Sequence, residues 1–202
     1  MKNDQPVFKH ILGNQWDELG EVIRKHYFLR PFSNDHICVT GIMGEINHSF
    51  LAKLLIPFGR LFGALVPYKG RKIPIEVYYH TKNENGNIYW DRVFMFPGKR
   101  PYHFRSFMQH AKNNEVVEYV RFGVGMRLKV TAEQGALVFR NGGYIWRVAN
   151  ISIPIPLRLI LGTAYVEERP IDSTKFSMKM ELEHPLFGML FQYRGEFSLP
   201  EH

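Results

Sequence analysis

Cysteine is nearly absent from this sequence, since Cys38 is the only one among 202 residues. A lone cysteine excludes an internal disulfide framework and is typical of a protein from a reducing compartment. Long apolar runs are also lacking, so the sequence predicts no membrane-spanning helix. Residues 1–6 do not have the apolar stretch of a signal peptide. We therefore expect a cytoplasmic protein.

Sequence motifs typical of catalysis or metal binding are missing as well. The nine histidines are scattered, with neither H-x-x-x-H nor H-E-x-x-H spacing. There is no G-x-S-x-G, and no G-x-G-x-x-G follows a predicted strand. The sequence therefore predicts no metal site and no cofactor.

What the sequence does contain is apolar and aromatic: 45% of its residues are hydrophobic and 14% aromatic. This is enough to build a sizeable core or to line a cavity. The length fits a single domain over residues 1–202.

The first half of the chain shows helical spacing in two places. Apolar residues recur every three to four positions over 7–27, which predicts an N-terminal helix interrupted at Gly13. A strand is predicted at 36–46. A lid helix is predicted at 49–66, kinked into two pieces by Pro57 and Gly59.

From residue 72 to 198 the apolar period changes to two, which is the period of half-buried strands. Turn signals separate these strands, at Asn85-Gly86, Gln134-Gly135 and Asn141-Gly142-Gly143. About nine or ten such strands cannot stay flat, because twist curls a sheet of that width. The predicted fold is α+β and mainly β: an antiparallel, barrel-like or strongly curved meander with an N-terminal helix and a kinked lid helix.

Several short sequence motifs occur in the same order as in one known family. They are Val66-Pro67 with Gly70, Trp90-Asp91-Arg92-Val93-Phe94, Phe104-Arg105-Ser106, Val117-Glu118-Tyr119, His184-Pro185-Leu186-Phe187-Gly188 and Tyr193-Arg194-Gly195-Glu196-Phe197. Over about residues 8–198 the chain resembles a bacterial family known as domain of unknown function 4166. The resemblance implies a bacterial, cytoplasmic, one-domain protein and brings no established activity. It also implies relatives fused behind nicotinamide-dependent dehydrogenase-like domains.

Two charged residues fall on strand faces that should be dry. Arg92 shares its face with Trp90 and other large apolar residues, and Glu118 shares its face with valines and a phenylalanine. A buried charge needs a partner or a ligand. In the functional interpretation, Arg92, Glu118 and Arg105 form a polar floor in an apolar cavity beside Trp90. Arg92 would hold a ligand carboxylate or phosphate, and Glu118 would accept a proton.

His103 shares a strand face with Arg105, and this pair would help to hold an anion. The structural alternative is a buried Arg92–Glu118 ion pair, or a bulge that turns one of the two residues outward.

The net charge is +7, and part of the basic surplus surrounds the lid helix. The residues concerned are Lys53, Arg60, Lys69, Arg71 and Lys72. An apolar helix edged by cations predicts peripheral contact with an anionic membrane; the alternative is a lid packed on the barrel with solvated charges. Nucleic-acid binding is disfavoured, because the aromatic residues lie on dry faces.

The leading functional hypothesis is a non-enzymatic binder of an apolar or amphipathic small molecule, such as a fatty-acid-like or isoprenoid compound, in a barrel cavity. One alternative is a small acid–base enzyme (a hydrolase, isomerase or decarboxylase) that uses a cavity carboxylate. Another alternative is an adaptor for a dehydrogenase-like partner.

Overall fold

The computed structural model describes residues 5–149 and 151–200. The helices in these ranges are α1 (Val7–Leu12), α2 (Glu21–His26), α3 (Ala52–Phe62) and α4 (Arg158–Leu161), with 3-10 turns at Gly13–Glu18 and Arg121–Gly123. The strands are β1 (His36–His48), β2 (Gly70–Lys82), β3 (Asn85–Phe94), β4 (Tyr102–Lys112), β5 (Glu115–Tyr119), β6 (Val124–Glu133), β7 (Ala136–Val148), β8 (Ile151–Ile155), β9 (Thr163–Pro170), β10 (Lys175–His184) and β11 (Gly188–Ser198).

Ten of these strands close into an antiparallel barrel. Their order is β6-β5-β4-β3-β2-β1-β11-β10-β9-β7, and β7 pairs back onto β6. Strand β8 pairs only with β7, so it lies outside the ring. Closure leaves the ring without unpaired edges, which a wide twisted sheet would otherwise expose. The predicted fold class, a mainly β, antiparallel barrel with an N-terminal helix, is confirmed.

The barrel interior is built by the two-residue alternation of its strands. In β2, Ile73, Ile75, Val77 and Tyr79 are buried, and the residues between them are more exposed. Because successive side chains point to opposite faces of a strand, such alternation sends one set inward. These inward sets form one large apolar core together with the N-terminal helices.

The loops of an antiparallel barrel fall alternately at its two ends, and here the two ends differ. The N-terminal helices plug one end, the closed end, where Phe8, Ile23 and Tyr27 are fully buried. The Gly20 N–H donates to the Gly135 carbonyl at 2.9 Å and ties the plug to the β6–β7 turn. Helices α3 and α4 follow strand ends at the other end, which we call the mouth.

Several predicted elements differ in detail. The helix predicted at 7–27 is α1, a 3-10 turn and α2, broken at Gly13 as expected. The lid predicted at 49–66 is one helix, α3, which continues through Pro57 instead of splitting into two pieces. A proline removes one backbone hydrogen bond but leaves the other turns intact. The helix ends instead at Gly63, whose left-handed φ of 66° supplies the cap.

Strand ends and turns also shift. Strand β1 extends to residue 48 and β2 starts at residue 70, so both exceed their predicted ranges. The turn predicted at Asn141-Gly142-Gly143 was wrong, since these residues form a bulge within β7 opposite Arg127 and Leu128. Glycine serves turns and bulges alike, so the signal was ambiguous. The Asn85-Gly86 turn lies two residues earlier, because Asn85 already pairs with Lys82.

Within the described ranges, no helix has the length and apolar character needed to cross a bilayer. The single-domain organisation over 1–202 stays a prediction.

Candidate functional site

A cavity of about 570 Å³ lies inside the barrel. Its walls are mostly aromatic and aliphatic side chains from the inward strand faces, including Val77, Phe104, Phe139, Met178, Met180 and Phe191. The cavity also reaches residues of α3 and α4, which places its opening at the mouth. An apolar cavity of this size is typical of a site for a small molecule.

Three polar residues from neighbouring strands meet in this apolar surrounding, and we call them the Arg92 cluster. Arg92 Nη1 donates to Ser106 Oγ at 3.0 Å, and Nη2 donates to Glu118 Oε1 at 3.0 Å. Ser106 Oγ donates to the same carboxylate oxygen at 2.7 Å. Arg92 and Ser106 are buried, and the Glu118 side chain is 13% exposed. The buried ion pair weighed as the structural alternative is therefore present.

Electrostatics and stacking hold Arg92 in its charged form. Burial opposes the guanidinium charge, but the Glu118 carboxylate and the neighbouring tyrosines outweigh it, so the pKa of Arg92 is raised. The guanidinium carbon lies 4.3 Å from the centre of the Trp90 ring and 4.8 Å from that of Phe104. A planar cation between two aromatic rings gains cation–π attraction, which is stronger where water is excluded. Arg92 is thus fixed in position and neutralised by the protein itself.

Strand alternation places the other predicted site residues on two different faces. Trp90 lines the cavity next to Arg92. His103 and Arg105 are exposed on the outer face of β4, where both contact Asp91, at 3.0 and 2.8 Å. Each of them is one residue out of phase with the inward-facing Phe104 and Ser106, and this offset sends their side chains outward. The structure therefore brings Arg92, Glu118 and Trp90 together and leaves His103 and Arg105 outside the expected polar floor.

A second polar site in the interior was not predicted. The Nδ1 atom of His26, on α2, lies 3.3 Å from Glu168 Oε2, and both side chains are almost completely buried. Glu168 also lines the cavity. Within the described part of the chain, Glu168 Oε2 and the two His26 ring nitrogens make no hydrogen bond of good geometry, and the Tyr27 hydroxyl lies close enough to the Glu168 carboxylate to interact with it. Buried polar atoms without well-formed hydrogen bonds are rare, so this pair stands out from the apolar interior around it.

The two sites share an electrostatic environment. Burial, followed by the Glu168 charge, raises the pKa values of Tyr27 and Tyr79 well above the usual range. Tyr193 also feels Arg92, Glu118 and Glu168, and its pKa is raised to about 12, mainly by burial. Tyr79 and Tyr193 are therefore neutral hydroxyl groups in the interior that both sites influence electrostatically.

Sequence reasoning missed Glu168 although a signal was present. Ala164, Val166 and Glu168 occupy alternate positions of β9, and the two apolar residues point into the cavity. The same alternation that identified Arg92 thus places Glu168 inside. The partnership with His26 has no signal in the sequence, because it depends on how α2 plugs the closed end.

A metal centre has no obvious place here: no group of three or more histidine, cysteine, aspartate or glutamate side chains in the described part of the chain could hold an ion.

Comparison with known proteins adds family membership. A family model described as "Domain of unknown function (DUF4166)" matches residues 19–197. A similar curated protein is the "Uncharacterized protein YndH" of Bacillus subtilis (strain 168), 28% identical over 171 residues, covering 80% of this chain and 82% of that protein. No solved structure matches the chain significantly. The family match spans most of the chain, so the chain belongs to the DUF4166 family.

Proposed function

We propose that this member of the DUF4166 family binds an amphipathic small molecule inside its barrel. The observation that carries the proposal is a cavity of about 570 Å³ with apolar walls and a buried carboxylate in its lining, Glu168, whose Oε2 atom lies 3.3 Å from His26 Nδ1 without a well-formed hydrogen bond. The walls would take the apolar part of the ligand, whose burial drives binding. Glu168, which lines the cavity and is paired with His26, would take its polar group.

The charges of the interior support a neutral polar group on the ligand. The Arg92 charge is already balanced by Glu118, so a ligand carboxylate would have to displace that carboxylate. It would also approach Glu168, a like charge. A hydroxyl group is uncharged and can donate a hydrogen bond to the Glu168 carboxylate, which lines the cavity. We therefore propose a long-chain or cyclic alcohol in place of the fatty acid expected from Arg92 alone.

Matched ligands test this preference. Decanol, decanoate and decylammonium share an apolar chain and differ in their polar group, and a ligand that binds only the folded protein raises its Tm. We expect decanol to raise the Tm most. Glu168→Gln keeps the side-chain shape but removes the charged acceptor, and we expect it to weaken decanol binding about tenfold. A stronger effect of decanoate, unchanged in Glu168→Gln, would contradict the assignment of the polar group while leaving the cavity as a site.

A cavity-filling variant separates the cavity from non-specific adsorption. Val120 and Ala164 line the cavity, and Val148 is exposed outside it. Val120→Trp/Ala164→Phe should abolish the response to all three ligands, and Val148→Trp should leave it unchanged. Equal responses in both variants would refute binding inside the barrel.

Acid–base catalysis is the second candidate function, and the observation that favours it is the buried His26–Glu168 pair. Glu118 is a poor choice for the base because Arg92 and Ser106 already occupy the same oxygen. Incubation of the protein with a molecule extracted from it distinguishes the two candidates. Recovery of that molecule unchanged favours a binder, and its conversion by the wild type but not by Glu168→Gln favours an enzyme.

A further inference from the structure

Large apolar side chains are exposed where the cavity opens. Phe58, Phe122 and Ile160 line the cavity and are nevertheless 65%, 64% and 53% exposed. Further exposed apolar residues lie just before α3, on α3, β8 and α4, and in the β10–β11 turn: Phe50, Leu54, Leu61, Ile151, Leu159 and Leu186. Single exposed apolar residues are ordinary, but a group of this size marks an interaction surface. We call this surface the rim.

Contacts between its segments make the rim continuous. The rings of Phe62 and Phe122 lie 5.9 Å apart, which joins α3 to the turn before β6. Trp146 Nε1 donates to the Phe122 carbonyl at 2.9 Å and adds β7. His184 Nε2 lies 2.9 Å from the Leu159 carbonyl and joins α4 to the end of β10. These contacts join α3 to β6 and β7, and α4 to β10, beside the opening.

Acidic residues are distributed unequally between the two ends of the barrel. The segments at the mouth, 49–69, 95–101, 120–123, 151–162 and 185–187, contain no aspartate or glutamate. They contain the cations Lys53, Arg60, Lys69, Lys99, Arg100, Arg121 and Arg158. Acidic residues occur at the closed end, for example Asp17, Glu84, Glu133 and Asp172. Glu45 and Glu183 lie just outside these segments, so the apolar surface is edged mainly by cations. Such a surface is complementary to an anionic lipid surface.

The five cations predicted to face a membrane all lie near the mouth. Lys53 and Arg60 belong to α3 and Lys69 follows it, and all three are exposed. Arg71 and Lys72 are exposed at the start of β2, where Arg71 Nη2 lies 3.7 Å from Glu45 Oε1. The sequence hypothesis named the lid helix alone; the structure adds β8, α4 and two turns to the same surface.

We propose that the rim docks on the surface of an anionic phospholipid bilayer. The exposed apolar side chains insert among the acyl chains, and the cations contact lipid phosphates. Since Phe58, Phe122 and Ile160 belong both to the rim and to the cavity lining, docking joins the apolar cavity to the apolar layer of the bilayer. An amphipathic molecule then passes between them without crossing water. The transfer of a ligand rests on the proposed function, whereas docking depends on the rim alone and is tested without a ligand.

Vesicle flotation tests the proposal. The probes are vesicles of phosphatidylcholine alone and vesicles of phosphatidylcholine mixed with phosphatidylglycerol, and we expect wild-type protein to float with the mixed vesicles only. Lys53→Gln/Arg60→Gln/Lys69→Gln should weaken this binding roughly a hundredfold, at the usual contribution of a cation near an anionic surface. Leu54→Ser/Leu159→Ser removes two exposed apolar side chains that do not line the cavity. It should weaken binding about tenfold.

Matched controls at the closed end remove the same charge and the same kind of apolar group. Lys82→Gln/Lys112→Gln/Lys175→Gln and Phe28→Ser/Ile171→Ser change residues that are exposed far from the rim. Both should bind like the wild type. Equal losses in rim and control variants would overturn the proposal, as would equal binding to the two kinds of vesicle. A wild type that ignores both vesicles but forms a dimer dissociated by Leu54→Ser/Leu159→Ser would overturn it in favour of self-association.

Discussion

The Arg92–Glu118 pair permits a quantitative test of how the interior is stabilised. Replacing Arg92 with leucine leaves the Glu118 carboxylate buried without its counter-charge. Removal of one partner of a buried pair costs about 3–5 kcal/mol. We expect the lower end of this range, because Ser106 Oγ still donates to Glu118 Oε1. Replacing both residues with leucine removes the uncompensated charge, and such double replacements are often neutral or stabilising.

Chemical denaturation of the wild type, both single variants and the double variant measures the coupling. The free energy of unfolding should fall by about 3 kcal/mol in Arg92→Leu and by less than about 1 kcal/mol in Arg92→Leu/Glu118→Leu. The coupling energy is then about 2 kcal/mol or more, far beyond the value for distant sites. A double variant that loses the sum of the two single losses would refute the argument, because the residues would then act independently.

Other consequences concern the closed end, a tight turn and the buried tyrosines. Arg30 donates to Asp35 and lowers the pKa of that carboxyl group. Asp35→Asn should therefore lower the free energy of unfolding by about 1 kcal/mol at neutral pH. This difference between variant and wild type disappears as the pH falls below the depressed pKa. Gly162 has a φ of +75°, and a Cβ added there would lie 2.0 Å from the Glu183 carbonyl oxygen. Gly162→Ala should therefore lower the Tm and reduce the free energy of unfolding by about 2 kcal/mol or more. Burial raises the pKa of Tyr193 to about 12, so this side chain should stay neutral until the protein unfolds in base. The stability linked to the neutral form is complete below the ordinary tyrosine pKa and is lost as the pH rises through the pKa of the folded state. Ultraviolet absorbance of tyrosinate follows this titration, and ionisation of all tyrosines near their ordinary pKa in folded protein would contradict the burial.

The sequence was sufficient where a strand keeps its period. Arg92 and Glu118 were located correctly on the inner face, since the pairing of β3 is regular from Ile88 to Phe94 and that of β5 from Val116 to Tyr119. Alternation groups residues by strand face, but it does not show which face is the inner one when both faces hold polar residues. For this reason His103 and Arg105 were grouped correctly with each other but assigned to the wrong face.

Other features depend on tertiary contacts that no local pattern reveals. Strand β8 contains Pro154, and proline argues against a central strand. The strand is tolerated because it pairs with β7 alone and lies outside the ring. His26 and Glu168 are separated by most of the chain in sequence, and their contact joins the N-terminal plug to β9.

Native mass spectrometry of the protein purified from its expression host tests the central claim most directly. We predict that the wild type and Val148→Trp carry a bound amphipathic molecule, recoverable by solvent extraction, and that Val120→Trp/Ala164→Phe is empty. An empty wild type that also shows no Tm response to the matched decyl compounds would contradict the account, and so would a bound molecule retained by the cavity-filled variant.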